Sequence, residues 1–190
     1  MRSIRTIFRF LLLGTITCGL AGGSLPGEAQ SLANHRTEAE DLRRFAEFVE
    51  WPSSADAGRG TANTSINFCV LGQDPFGNSL DASILGHPIG ERRTTVVRAK
   101  RLEDFGECDV LFVSSSEAKR QSKILTRLNR SAVLTVGETT DFAAGGGIIQ
   151  FVPEGDRVSF LSNVDAAGRA GLKIRADLLA LAKVIHDGDR

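Results

Sequence analysis

The sequence predicts an α/β fold: a single domain built on a mostly parallel, mixed β-sheet with helices on both faces. Short apolar runs rich in β-branched residues recur along the chain and alternate with helical stretches, the pattern of parallel strands joined by crossover helices. Late in the chain, Pro153, Glu154, Gly155 and Asp156 separate two such runs, which implies a hairpin and makes the sheet mixed. With 190 residues, 42% of them hydrophobic and 24% charged, the chain has the size of one globular domain plus a short extra segment.

That extra segment is the N-terminus, where Arg2, Arg5 and Arg9 precede an almost uncharged run from Phe10 to Ala21. The run is shorter than the ~20 residues a membrane span needs but fits the apolar core of a secretory signal peptide. Cleavage after Ala29, with Gly27 three positions earlier, is preferred over cleavage after Gly23; Thr17 before Cys18 fits a lipid-attachment motif poorly. The expected organisation is a signal peptide over residues 1–29 and a domain over residues 30–190, the latter with two net negative charges.

Leu42, Phe45, Ala46 and Val49 are spaced i, i+3, i+4 and i+7, and Thr37 with Glu40 reads as a capping box, so a helix is predicted over 37–49. Trp51 and Pro52 end it. Ser53 to Ser65 reads as a solvated loop. Ile66 to Leu71 is a buried strand; Asp74 and Pro75 read as cap and first residue of a helix to about Ser83. Further strands follow at 94–98, 109–113 and 132–136, with a helical turn at 102–105, a helix capped by Ser114 to Ser116 running to about Asn129, and a turn at 139–142. The hairpin comprises strands at 147–152 and 158–161. From Asp165 to Ile185, with Leu178, Leu181, Ala182 and Ile185 on one face, one long closing helix is expected.

Balanced charge, 23 basic against 23 acidic side chains, argues against a nucleic-acid partner. The pairs Arg92 and Arg93, and Lys119 and Arg120, read as solvated surface. Gly145 to Gly147 precede a strand instead of joining strand to helix, which excludes a dinucleotide loop. His35, His87 and His186 do not assemble into one site by spacing, and the chain has no nucleophile elbow or metal-ligand motif. No catalytic residue, metal or cofactor is expected. Export exposes thiols to oxidation, and the even pair Cys69 and Cys108 suggests one disulfide, worth about 3.5 kcal/mol for a loop of about 40 residues. Two separate buried thiols is the other reading. A bridge requires Cα atoms within about 7 Å.

Several stretches, in order, resemble the YfiR-like family. They are Phe45, Phe48, Trp51 and Pro52; INFCVLG and DPFG over 66–77; CDVLFV at 108–113; VLTVGE at 133–138; DFAAGGGIIQF at 141–151; and VSFLSNVDAAGRAGLKIRADLLALA at 158–182. The resemblance implies a periplasmic, non-catalytic regulator of a membrane-bound signalling protein, such as a diguanylate cyclase with a GGDEF domain or a sensor kinase, with a homodimer left open. It also implies that Cys69 and Cys108 are the family's bridging pair; a second pair carried by some members is absent. Its characteristic asparagine corresponds to Asn163, read here first as a helix cap. The expected partner-binding region is 163–175, with Asn163, Asp165, Arg169 and Lys173. The rival expectation is a small-ligand carrier or enzyme using the strand ends at Gly72 to Asp74, Ser114 to Ser116 and Gly137 to Thr140, where amides near Ser116 would meet a small anion.

Overall fold

The computed structural model describes residues 26–52, 65–154 and 157–189. The charged start and apolar run of the expected signal peptide, the loop at 53–64 and the hairpin tip at Gly155 and Asp156 lie outside them. Helix α1 (Pro26–Glu47) leads to a two-residue strand β1 (Val49–Glu50). Strand β2 (Ser65–Leu71), helix α2 (Asn78–Ile84) and strand β3 (Arg93–Ala99) follow, then β4 (Val110–Val113), a 3₁₀ segment (Ser115–Arg120) continuing into α3 (Gln121–Leu128), and β5 (Leu134–Gly137). The hairpin is β6 (Ile149–Glu154) and β7 (Arg157–Asn163); the chain closes with α4 (Val164–Arg169), β8 (Lys173–Ile174), α5 (Ala176–Leu179) and β9 (Lys183–Ile185).

The main sheet has the order β3-β2-β4-β5-β6-β7-β9, parallel except where β7 turns back antiparallel to β6, and β1 pairs with β8 in a separate ribbon. This is the predicted mixed α/β sheet. Its central strands are apolar on both sides because both are covered. Ile66, Phe68 and Val70 of β2 join Val110 and Phe112 of β4 under α1 and α2, whereas Leu71, Leu111 and Val113 join Ile124 and Leu125 of α3 on the other face. In α1, Leu42, Phe45 and Ala46 are buried as their spacing predicts, and the Phe45 ring stacks on Phe151 and Phe160 at 5.6 and 4.8 Å between centroids.

Four expectations are corrected. Helix α1 starts at Pro26, so Thr37 lies mid-helix and its hydroxyl donates to the Ala33 carbonyl at 3.2 Å instead of capping. Asp74 does not cap α2; its Oδ1 accepts from the Phe76 amide at 2.8 Å and its Oδ2 from Arg98 Nε at 2.6 Å, shaping the turn before the helix. Arg92 is half-buried and lies 3.6 Å from the buried Asp109 carboxylate, whereas Arg93, Lys119 and Arg120 are exposed as expected, Arg120 Nε reaching buried Glu117 at 2.7 Å. The fourth concerns the closing helix, which is broken into α4, β8, α5 and β9. Gly171, at φ +72°, ends α4: its amide donates to Gly168 and the Leu172 amide to Ala167, the paired bonds of a left-handed helix stop. The segment beyond then serves two open strand edges, with Ile174 opposite Val49 and β9 beside β7.

Phe142 accounts for the glycine-rich stretch. The ring is fully buried, and a Cβ on either Gly137 or Gly147 would overlap it. The glycines admit an aromatic side chain between two backbones.

Candidate functional site

The expected partner-binding residues divide by burial. Asn163, at the end of β7, is 0% exposed and offers no surface to a partner. Its Oδ1 accepts from the Ala166 amide at 2.9 Å, capping α4, while Nδ2 donates to the Ala143 carbonyl at 2.8 Å and to Asp187 Oδ1 at 3.1 Å. Direct contact by Asn163 is therefore corrected to a positioning role that joins the glycine loop, α4 and the C-terminal segment. Arg169 is half-buried, paired with Asp187, and donates from Nε to Asn129 Oδ1 at 3.2 Å. Asp165 is exposed and accepts from the Asp187 amide at 3.0 Å, with His186 Nδ1 at 3.2 Å; these bonds, the first above all, hold its carboxyl below the ordinary carboxylate range.

Lys173 is the most open of the four, its side chain 77% exposed, with Nζ 3.3 Å from Glu50 across the β1–β8 ribbon. That ribbon places two distant stretches side by side: Glu50 stands opposite Lys173, and the Arg175 amide donates to the Phe48 carbonyl at 2.9 Å. The Arg175 guanidinium covers the Phe48 ring at 4.9 Å, and Pro52 packs against Gly171. Phe45 is fully buried, while Phe48 and Trp51 are only half-buried on this surface. The stretch from Phe48 to Pro52 and residues 171–175 thus share one face, whereas Asp165 and Arg169 are engaged with Asp187.

The disulfide joins Cys69 in β2 to Cys108, two positions ahead of the start of β4, with Cα atoms 6.1 Å apart. It lies under α3, away from the ribbon.

At the carboxyl ends of the parallel strands, the amides expected to meet an anion are already occupied. Ser115 donates to Glu138 Oε1 at 2.7 Å, Ser116 to Ser114 Oγ at 3.3 Å, and Glu117 to the Ser114 carbonyl at 2.9 Å. Ser116 Oγ in turn accepts from the Gln73 amide at 2.9 Å, filling the space above Gly72. An anion site is not left there. Instead, α1 runs over this end and brings His35 and Glu38 to Glu138, with one ligand-type atom of each within 4.8 Å of the others. Glu38 is buried and its carboxyl is pushed up to about 8 by desolvation first, then by Glu138 and Asp41. Sequence reasoning passed over Glu38 and Glu138: a His and a Glu three apart on a helix signal little, and Glu138 lies a hundred positions away. Among the described residues no helix is long and apolar enough to cross a membrane.

With this geometry in hand, a family model described as YfiR/HmsC-like matches residues 35–183, from the His35 turn of α1 into β9.

Proposed function

Because the chain belongs to the YfiR/HmsC-like family, we propose that it is an exported periplasmic regulator, residues 1–29 serving as a cleaved signal peptide, that acts by docking on a membrane-bound signalling partner and not by turnover. The partner is a diguanylate cyclase with a GGDEF domain or a sensor kinase. The observation that carries this reading is the match over 35–183, supported by the β1–β8 ribbon, which gathers two of the stretches that bear the resemblance onto one exposed face. A rigid docking domain needs a face that does not rearrange on binding. Here the ribbon is fixed by β1–β8 pairing and by the Arg175 amide on the Phe48 carbonyl.

Lys173 presents charge on this face, while Asp165 is bonded to the Asp187 amide and Arg169 to Asp187 and Asn129. Charge reversal at Arg169 would break those bonds and confound folding with binding. Lys173→Ala is the cleaner substitution, since it removes the charge without setting a second carboxylate opposite Glu50, and an exposed side chain changes stability by only about 0.5 kcal/mol or less. The expected outcome is a protein with unchanged melting that binds the partner's periplasmic portion less tightly and no longer sets its output in cells. A variant that folds normally and controls the partner like the parent places the interface elsewhere; purified protein that turns over a substrate sinks the regulatory reading itself.

A further inference from the structure

We propose that His35, Glu38 and Glu138 form a binding site for one divalent transition-metal cation of the zinc class, clamping α1 onto the end of β5. The donor set is one imidazole and two carboxylates whose ligand-type atoms lie within 4.8 Å of one another. Ligands of a tetrahedral zinc ion, at about 2.0–2.2 Å from the metal, stand roughly 3.4 Å apart, so a small inward movement of side chains closes the site. Imidazole favours zinc and its transition-metal neighbours over calcium or magnesium, which select all-oxygen cages.

The independent observation is the state of Glu38. Its residue is 8% exposed, its Oε2 is buried without a hydrogen-bond partner, and it sits in the group. A buried carboxylate oxygen with no donor is costly, and the charges that bear on Glu38, those of Glu138 and Asp41, are of its own sign. A divalent cation supplies the missing partner. The surroundings already orient the other two ligands. Glu138 is held through Oε1 by the Ser115 amide at 2.7 Å, and the His35 ring stands edge-on to Phe76 at 6.3 Å between centroids. Three protein ligands leave a fourth position for water, and His35 and Glu138 are only half-buried, so the ion has a route in. The clamp joins a helix at the start of the domain to its central sheet and stands independently of the regulatory reading.

The test uses the untagged protein as cells produce it, with its disulfide intact, stripped by a chelator and titrated with zinc chloride. Calorimetry should give one saturable equivalent, and at a hundredfold excess over Kd the Tm should rise by about 5–10 °C. His35→Ala and the near-isosteric Glu38→Gln should each weaken zinc at least 100-fold, while Glu38→Gln leaves the metal-free protein as stable as the parent or more so. His87→Ala and His186→Ala should bind as the parent does. Absence of saturable binding, zinc binding that survives both His35→Ala and Glu38→Gln, or an equal Tm rise with magnesium overturns the site.

Discussion

Asn163 makes three hydrogen bonds from full burial, to Ala166, Ala143 and Asp187, so its truncation removes a helix cap and strands the Ala143 carbonyl together. Asn163→Ala is expected to cost about 2–4 kcal/mol in denaturant unfolding. Asn163→Asp should also destabilise, although it keeps the cap acceptor, because it loses the donor and sets a second carboxylate against Asp187. Equal stability of Asn163→Asp and the parent would show that the cap is the only bond that matters. Gly147 is a second such position: Gly147→Ala drives a methyl into the Phe142 ring, with an expected loss of about 1–3 kcal/mol, read as a lower denaturation midpoint. The asparagine was readable from sequence as a cap, since it precedes a small-residue helix start; its two other bonds were not, because both partners come from other segments.

Among the elements, the C-terminal segment departs furthest from local propensity. Residues 176–182 are rich in alanine and leucine, yet only Ala176–Leu179 is helical, and Leu181 is left 76% exposed. Hydrogen-bonding demand at the free edges of β1 and β7 outweighs helix propensity worth only a few tenths of a kcal/mol per residue. The docking of β9 depends in part on Asp165, faced by His186, the Asp187 amide and Arg169. Its folded carboxyl titrates below the ordinary value of 3.8, so its contribution is present above the unfolded range and is lost as pH falls through the lowered folded value. The Asp187 amide should therefore keep its chemical shift and exchange protection through the ordinary carboxylate range and lose both only as pH falls through the lowered folded value; protection lost while carboxylates are still ionised would show that Asp165 does not hold this segment.

For the whole molecule, two hydrophobic layers flank one sheet, and the disulfide ties β2 to the entry of β4 in the layer beneath α3. Because β2 and β4 are adjacent parallel strands with α2 and β3 inserted between them in the chain, the bridge closes a loop spanning a sequence separation of 39. Replacing both cysteines by alanine should lower stability by on the order of 3–4 kcal/mol while leaving the ribbon face intact. Two measurements together check this: the denaturation midpoint falls, and partner binding at low temperature is retained. Loss of binding in a variant that is still folded would make the disulfide part of the functional surface.

Strands β2 to β7, the two-sided burial of the sheet, the core face of α1 and the pairing of Cys69 with Cys108 were legible in the sequence, whereas β1, β8 and β9 fell in stretches expected to be helical. Apolar periodicity reports burial over a few residues, and the ordered motifs reported the family. The break of the last helix, the joining of the stretch from Phe48 to Pro52 to residues 171–175, and the meeting of His35 and Glu38 with Glu138 were decided only by tertiary structure. Each depends on which edge or strand end a segment reaches after the sheet has formed. Strand order, not local spacing, brings ligand-type atoms of side chains a hundred positions apart to within 4.8 Å of one another.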